Sequence, residues 1–95
     1  MTDQSHDGSA RRRDRTRQIL AEIAETDLVR VKDGDRLRED LGLDSLQSLE
    51  LLSVVSEELR IDLPMEEAVE LRTVGDACRF VENAYQVRHG QAVRA

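Results

Sequence analysis

The sequence predicts an all-α fold: a small four-helix bundle of three main helices and a short helix III, with a long loop between helices I and II. Three observations favour this fold. The 95 residues suffice for one domain with a modest core. Apolar residues recur at helical spacing in three segments. With one Phe, one Tyr and no Trp, leucine, valine and isoleucine must supply most of that core.

Helix I is predicted from about Asp14 to Glu25, where one apolar stripe recurs at helical spacing. The stripe consists of Ile19, Leu20, Ile23 and Ala24. The connection that follows, residues 26–43, is long for a compact bundle and contains the turn signal Asp33-Gly34-Asp35. Five apolar side chains are expected to anchor it to the core: Leu28, Val31, Leu37, Leu41 and Leu43.

Helix II is predicted from Ser45 to about Leu59. Asp44 is a good N-cap residue, and Gln47 three positions later completes a capping box. Free backbone N–H groups and the positive end of the helix dipole at this terminus favour an anion attached at Ser45. The residues assigned to the core are Leu51, Leu52, Val55 and Leu59.

Leu46 and Leu49 fall on the opposite face of helix II, beside Ser53, and two interpretations compete for them. Helix II is either buried on two sides, or these leucines are exposed as a docking surface. The second is favoured because Glu50 and Glu57 on the same side resist burial. The predicted docking surface comprises Asp44, Leu46, Leu49, Glu50, Ser53 and Glu57.

The last third of the chain predicts two more helices. Pro64 suits the start of a short helix III, Met65 to Glu70. Its inward-facing residues are expected to be Ala68, Val69 and Leu71. Thr73, with Asp76 three positions later, is predicted to cap helix IV. Its buried stripe is expected to be Val74, Ala77, Cys78, Val81 and Tyr85, with Phe80 at the edge.

The two ends of the chain are polar. We expect residues 1–12 to be a disordered leader, residues 13–87 the folded domain, and residues 88–95 a frayed tail. Residues 11–17 carry five Arg and one Asp, a net charge of +4. This cluster is either a nucleic-acid arm or the solvated start of a helix. The helix start is favoured, because the total charge is -6 and few aromatic rings could stack on bases.

No set of residues predicts catalysis or a metal site. Cys78 lies in the apolar stripe of helix IV and is expected to be an inert buried thiol. His6 and His89 fall in the polar ends, where neither is expected to be held as a base or ligand. One cysteine and no long apolar run predict a monomeric cytoplasmic protein with no membrane segment.

The run Asp40-Leu41-Gly42-Leu43-Asp44-Ser45-Leu46 resembles the modification site of acyl carrier proteins, and the resemblance extends from about Ile19 to Tyr85. It implies that Ser45 carries a 4′-phosphopantetheine arm that holds acyl intermediates as thioesters. The implied partners are a phosphopantetheinyl transferase, using coenzyme A and Mg²⁺, and acyl-loading, acyl-transferring or condensing enzymes with basic docking patches. Residues 39–82 carry twelve acids and three Arg, a net charge of -9, which suits such partners and repels nucleic acid.

In fatty-acid carriers the acyl chain can lie between helices II and III. The resemblance places Leu51, Val55, Leu59, Val69, Leu71 and Phe80 around such a cleft here. The same residues also suit ordinary core packing, so both interpretations stay open.

Four positions depart from the housekeeping fatty-acid pattern: Gln47, Ser53, Arg60 and Met65. They favour specialised metabolism, such as a polyketide, lipopeptide or fatty-acyl pathway. One alternative is a peptidyl or aminoacyl carrier of nonribosomal synthesis. An alternative of another class is a helical interaction module without a prosthetic group.

Overall fold

The computed structural model describes residues 8–90. Three α-helices form the bundle: α1 (Ser9–Ala24), α2 (Ser45–Leu59) and α3 (Val74–Tyr85). A 3₁₀ turn follows α1 at Leu28–Arg30, and a 3₁₀ helix at Met65–Glu70 corresponds to the predicted helix III. A π-helical segment, Gln86–Gly90, extends α3. The predicted small helical bundle is confirmed.

Helix α1 runs antiparallel to the other two helices. Arg15, in the N-terminal half of α1, pairs with Glu58 near the C-terminus of α2. Arg12 pairs with Glu82 in the last turn of α3. The C-terminus of α1 therefore points toward the end of the bundle at which α2 begins.

The core lies between the three helices, where apolar stripes meet as the 3.6-residue period requires. Its least exposed large side chains include Leu20, Val31, Leu43, Leu51, Leu52, Val55, Val74 and Val81. Val31, Leu37 and Leu43 anchor the long connection to this core, and Leu41 packs against it. The anchoring role predicted for Leu28 is wrong, because its side chain is 37% exposed in the 3₁₀ turn.

Val69 also departs from the prediction: its side chain is 85% exposed instead of facing inward. The cause is the helix type. A 3₁₀ helix has three residues per turn, so Met65, Ala68 and Leu71 share one face. That face contacts the core, and Val69 is rotated away from it into solvent.

Both ends of the domain are more ordered than the sequence predicts. Helix α1 begins at Ser9, five residues before the predicted start, so residues 9–12 belong to it and not to a leader. Arg12 is buried rather than solvated, because it pairs with Glu82. Residues 1–7, which include His6, and residues 91–95 lie outside the described part of the chain.

His89 is held in place, contrary to the prediction of a frayed tail from residue 88. Its Nε2 atom lies 3.3 Å from the Leu59 carbonyl oxygen and 3.2 Å from that of Arg60. Its ring centroid lies 4.4 Å from that of Tyr85. Because both partners of Nε2 are acceptors, this nitrogen carries the proton and donates to the C-terminus of α2.

Candidate functional site

Ser45 is the first residue of α2 and is exposed. A tight turn immediately before α2 places Ser45 at the start of the helix. Gly42 adopts φ +72°, a left-handed conformation that favours glycine, and its N–H donates to the Arg38 carbonyl at 3.0 Å. The next residue, Leu43, is 2% exposed and donates its N–H to the Leu37 carbonyl at 2.9 Å. The buried Leu43 thus fixes the point at which the chain enters the helix. Gly42 is not among the site residues that the sequence predicts.

The start of α2 is held by a reciprocal capping box. The Asp44 Oδ1 atom accepts the backbone N–H of Gln47 at 2.8 Å, and the Gln47 Oε1 atom accepts the backbone N–H of Asp44 at 3.1 Å. Both contacts were predicted from the three-residue spacing, and they are confirmed. They satisfy two of the four N–H groups that a helix leaves without an intrahelical acceptor.

The other two N–H groups at this terminus belong to Ser45 and Leu46 and are not used by the capping box. Asp44 at the N-cap is the acidic residue at this terminus, and none lies in the first turn of α2 itself, so the N–H groups of Ser45 and Leu46 remain for a further anion. An exposed hydroxyl at such a position suits attachment of an anionic phosphodiester. The residues present therefore fit a phosphopantetheine group.

The loop before Ser45 is tied to the start of α3. The Leu37 N–H donates to the Arg72 carbonyl at 2.8 Å, and Arg36 forms an isolated bridge with Thr73. The Asp40 carboxylate closes the turn by accepting the backbone N–H of Arg36 at 2.7 Å. The guanidinium of Arg36 lies beside the same carboxylate. These two contacts lower the pKa of the Asp40 carboxyl, so it stays ionised near the site.

The surface predicted to dock partners is open to solvent. Leu46 is 74% exposed and Leu49 is 41% exposed, so α2 is buried on one side only. The remaining members are also exposed: Asp44, Glu50, Ser53 and Glu57. Five of the six share one face of α2, from Leu46 in the first turn to Glu57 in the last, and Asp44 caps the helix beside Ser45.

The six residues of the predicted acyl cleft do not all lie together. Leu51 and Val55 are buried in the core. Leu59, Leu71 and Phe80 are partly buried against it. Val69 points into solvent and does not line the interior. An open groove of about 290 Å³ between the Met65–Glu70 helix and α3 touches Leu71 and Phe80 but none of the other four.

Cys78 is a buried thiol of low reactivity. Cys78 is 5% exposed, and burial raises the pKa of its thiol, which disfavours the reactive thiolate. Within residues 8–90, no cluster of three or more His, Cys, Asp or Glu side chains could hold a metal ion. None of the helices described is long and apolar enough to cross a bilayer.

Comparison with known proteins identifies the family of this chain. A family model described as a phosphopantetheine attachment site matches residues 14–81. The chain is 36% identical to the acyl carrier protein of Sulfurovum sp. over 70 residues, covering 74% of this chain and 93% of the relative. It is 36% identical to that of Wolinella succinogenes over 69 residues, covering 73% and 91%. With acyl carrier protein AcpP of Rhizobium meliloti the identity is 35% over 71 residues, covering 75% and 91%.

Members of this family are non-catalytic carriers with a covalently attached 4′-phosphopantetheine group, and they work with partner enzymes that include a phosphopantetheinyl transferase. The capped helix with an exposed serine at its start, the matching family model and the curated relatives all lead to one assignment: the chain belongs to the acyl carrier protein family.

Proposed function

We propose that Ser45 is the attachment residue and that this protein holds acyl intermediates as thioesters on the arm and presents them to successive enzymes. The observation that carries the proposal is the exposed position of Ser45 as the first residue of a capped helix. A serine within the core, or in the middle of a helix, would not offer its hydroxyl to a transferase.

Each neighbour of Ser45 has a distinct part in this proposal. The Asp44–Gln47 capping box fixes the direction of the first turn and so the root of the arm. Leu43 anchors that turn to the core. The N–H groups of Ser45 and Leu46, which the capping box leaves unused, would stabilise the negative charge of a phosphodiester attached at Ser45. When bound, the group supplies a thiol that forms the thioester with the acyl cargo.

The docking surface of α2 is proposed to bind the transferase and the acyl-loading, acyl-transferring or condensing enzymes. Its exposed leucines offer apolar area, and Glu50 and Glu57 offer carboxylates to basic partner patches. Gln47 and Ser53 leave this surface less acidic and less apolar than the housekeeping pattern. Gln47 uses its side chain in the capping box instead. These features support a pathway of specialised metabolism, such as polyketide, lipopeptide or fatty-acyl synthesis.

The test is incubation of the full chain with coenzyme A and a broad-specificity phosphopantetheinyl transferase, followed by intact mass measurement. We expect the mass of one phosphopantetheine to be added to the wild type and to be absent from Ser45→Ala. Ser56→Ala is the matched control, because Ser56 is another serine of α2 that lies outside the docking surface, and its replacement should not affect the addition.

Two results would contradict the proposal. Modification that persists in Ser45→Ala would place the arm elsewhere. A folded wild type that gains no mass would favour a helical interaction module. A peptidyl carrier would differ at the next step, because its loading enzyme would transfer an aminoacyl group instead of an acyl group.

A further inference from the structure

The start of α3 is held by the same kind of capping box as the start of α2. The Thr73 Oγ1 atom accepts the backbone N–H of Asp76 at 3.1 Å, and the Asp76 carboxylate accepts that of Thr73 at 3.2 Å. The box leaves over the N–H groups of the next two residues, Val74 and Gly75. They hold the same positions in α3 as the unused pair does in α2.

The leftover pair at α3 binds the turn of the long connection. Val74 donates its N–H to the Asp35 carbonyl and Gly75 donates its N–H to the Asp33 carbonyl, both at 2.9 Å. Gly75 is buried, and a Cβ atom built on it would lie 3.3 Å from the Asp33 carbonyl oxygen. Glycine at this position therefore lets the turn lie directly against the first turn of α3.

Leu37 continues this attachment toward the start of α2. Its N–H donates to the Arg72 carbonyl at 2.8 Å, on the residue before the cap of α3. Its own carbonyl accepts the Leu43 N–H at 2.9 Å. Both leucines are buried, with 4% and 2% exposure. We name the hydrogen bonds that Val74, Gly75 and Leu37 donate the α3 clamp.

The turn between Leu37 and Leu43 is closed by its own backbone. The Arg36 carbonyl accepts the N–H groups of Asp40 at 3.0 Å and Leu41 at 3.1 Å. A turn that is closed in this way moves as a unit and does not absorb a displacement at one of its ends. A shift at the α3 clamp should therefore reach Leu43, which is two positions before the modified serine.

We propose that the α3 clamp positions Ser45 for phosphopantetheine transfer, and that Gly75 is a positioning residue because it lets the clamp close. This inference rests on the proposed function of Ser45. In the transfer, the Ser45 oxygen bonds to the coenzyme A phosphorus that carries pantetheine, and the pyrophosphate bond to the nucleotide breaks. Adenosine 3′,5′-bisphosphate leaves, and the hydroxyl gives up its proton. A displacement of about 1 Å at a reacting atom can slow such a step by about a hundredfold.

The test places the same larger side chain at two glycines. Gly75→Val puts a branched side chain against the Asp33 carbonyl and should open the α3 clamp. Gly34→Val is the matched control. Gly34 is exposed in the same turn, and among the residues that the structure describes, none comes within 4 Å of a Cβ atom built on it.

The readout is steady-state transfer from coenzyme A by a broad-specificity phosphopantetheinyl transferase, with the full chain as the varied substrate. Gly75→Val should lower kcat at least about tenfold, because the hydroxyl is displaced. It should leave KM for the protein within about twofold, because the docking surface of α2 is unchanged. Gly34→Val should keep both values. A folded Gly75→Val with the wild-type kcat would overturn the inference.

Loss of stability alone should give a different result. Glu82→Ala removes the carboxylate that pairs with buried Arg12, in the last turn of α3 and far from the clamp. At a temperature where circular dichroism shows both variants folded, Glu82→Ala should keep the wild-type kcat and Gly75→Val should not. Equal loss of kcat in the two variants would overturn the inference, because destabilisation would then explain both.

Amide hydrogen exchange of the wild type decides the case in which Gly75→Val does not fold. If the clamp holds the turn before Ser45, the Leu43 N–H should exchange no more slowly than about threefold relative to the N–H groups of Val74 and Gly75, because they open together. Protection of Leu43 at least about tenfold above that of Val74 and Gly75 would overturn the inference, since the turn would then hold without the clamp.

The outcome is separable from that of the proposed function. A wild-type kcat in Gly75→Val, in a protein that is modified at Ser45, removes this inference alone. Absence of modification of the folded wild type at Ser45 removes the proposed function, and hydrogen exchange then decides only whether the clamp holds the turn.

Discussion

Arg12 and Glu82 form a two-pronged ion pair that joins α1 to α3. The Nε atom of Arg12 lies 2.8 Å from Oε1 of Glu82, and Nη2 lies 2.7 Å from Oε2. The guanidinium carbon lies 3.8 Å from the centroid of the Tyr85 ring. The Arg12 side chain is only 8% exposed, so the most buried arginine of the basic cluster ties the first helix to the last.

We predict that Glu82→Ala lowers the free energy of unfolding by about 2–3 kcal/mol, because the mutation leaves a buried guanidinium without its carboxylate. Urea denaturation at neutral pH, followed by circular dichroism, measures the change.

Glu58→Ala is the matched control. The Arg15–Glu58 pair has the same two distances, 2.8 and 2.7 Å, but its side chains are 40% and 37% exposed. Solvent screens the Arg15–Glu58 pair, so Glu58→Ala should lower the free energy of unfolding by much less than Glu82→Ala does. Equal losses would show that burial does not set the strength of these pairs.

Asp76 gives the protein an acid-sensitive contribution to stability. It accepts the backbone N–H groups of Arg72 at 3.1 Å and Thr73 at 3.2 Å. These contacts, the Arg72 N–H above all, lower the pKa of its carboxyl. A lowered pKa means that the contribution is present above the unfolded value, about 3.9, and is lost as the pH falls through the folded value.

Asp76→Ala should therefore cost about 1 kcal/mol at pH 7, the usual effect of losing an N-terminal cap. The difference from wild type should shrink as the pH falls below about 4. Thermal unfolding at several pH values measures it. Asp76→Asn keeps an acceptor oxygen but no charge, so its smaller deficit should also vanish in acid. A deficit for Asp76→Asn that is unchanged by pH would contradict the assignment.

Leu49→Asp and Glu50→Lys test the docking surface. Both side chains are exposed, so helicity should stay intact. The rate of phosphopantetheine addition at Ser45 should fall about tenfold, through loss of apolar contact or charge complementarity. Circular dichroism and an intact mass time course measure the two effects. Glu22→Lys makes the same charge change at an exposed position on α1 and should modify at the wild-type rate. A collapse of the fold would instead show that Leu49 and Glu50 are structural.

Cys78 should react slowly with thiol reagents in the folded protein without the arm. Burial both covers the sulfur and raises the pKa of the thiol. Labelling with 5,5′-dithiobis(2-nitrobenzoate) should become fast in denaturant. After phosphopantetheine addition, one fast thiol should appear in the folded protein, while Cys78 stays slow. Fast labelling of the folded protein before addition would mean that the helix carrying Cys78 opens readily.

The arginines of the basic cluster, residues 11–17, pair with residues that are distant in sequence, and these partners decide which arginines are buried. The sequence predicts that residues 11–17 form the solvated start of a helix. Arg12 and Arg15 are instead committed to Glu82 and Glu58. Arg13 pairs with Asp33 at 3.3 Å, and Arg17 donates to the Val31 carbonyl oxygen. These contacts hold α1 against α2, α3 and the long connection, which accounts for its early start at Ser9.

The features that sequence alone determined are local. The capping boxes of α2 and α3 follow from pairs of residues three positions apart, and the bounds of α2 follow from the same local pattern. The core faces of both helices follow from the helical period. The tertiary structure decided features that depend on distant partners. The burial of Arg12 needs a carboxylate 70 positions away, and the placement of His89 needs a carbonyl 30 positions away. Val69 is exposed because its segment adopts 3₁₀ and not α geometry. A six-residue sequence pattern does not distinguish these two geometries. The fit of the segment against the core determines which one forms.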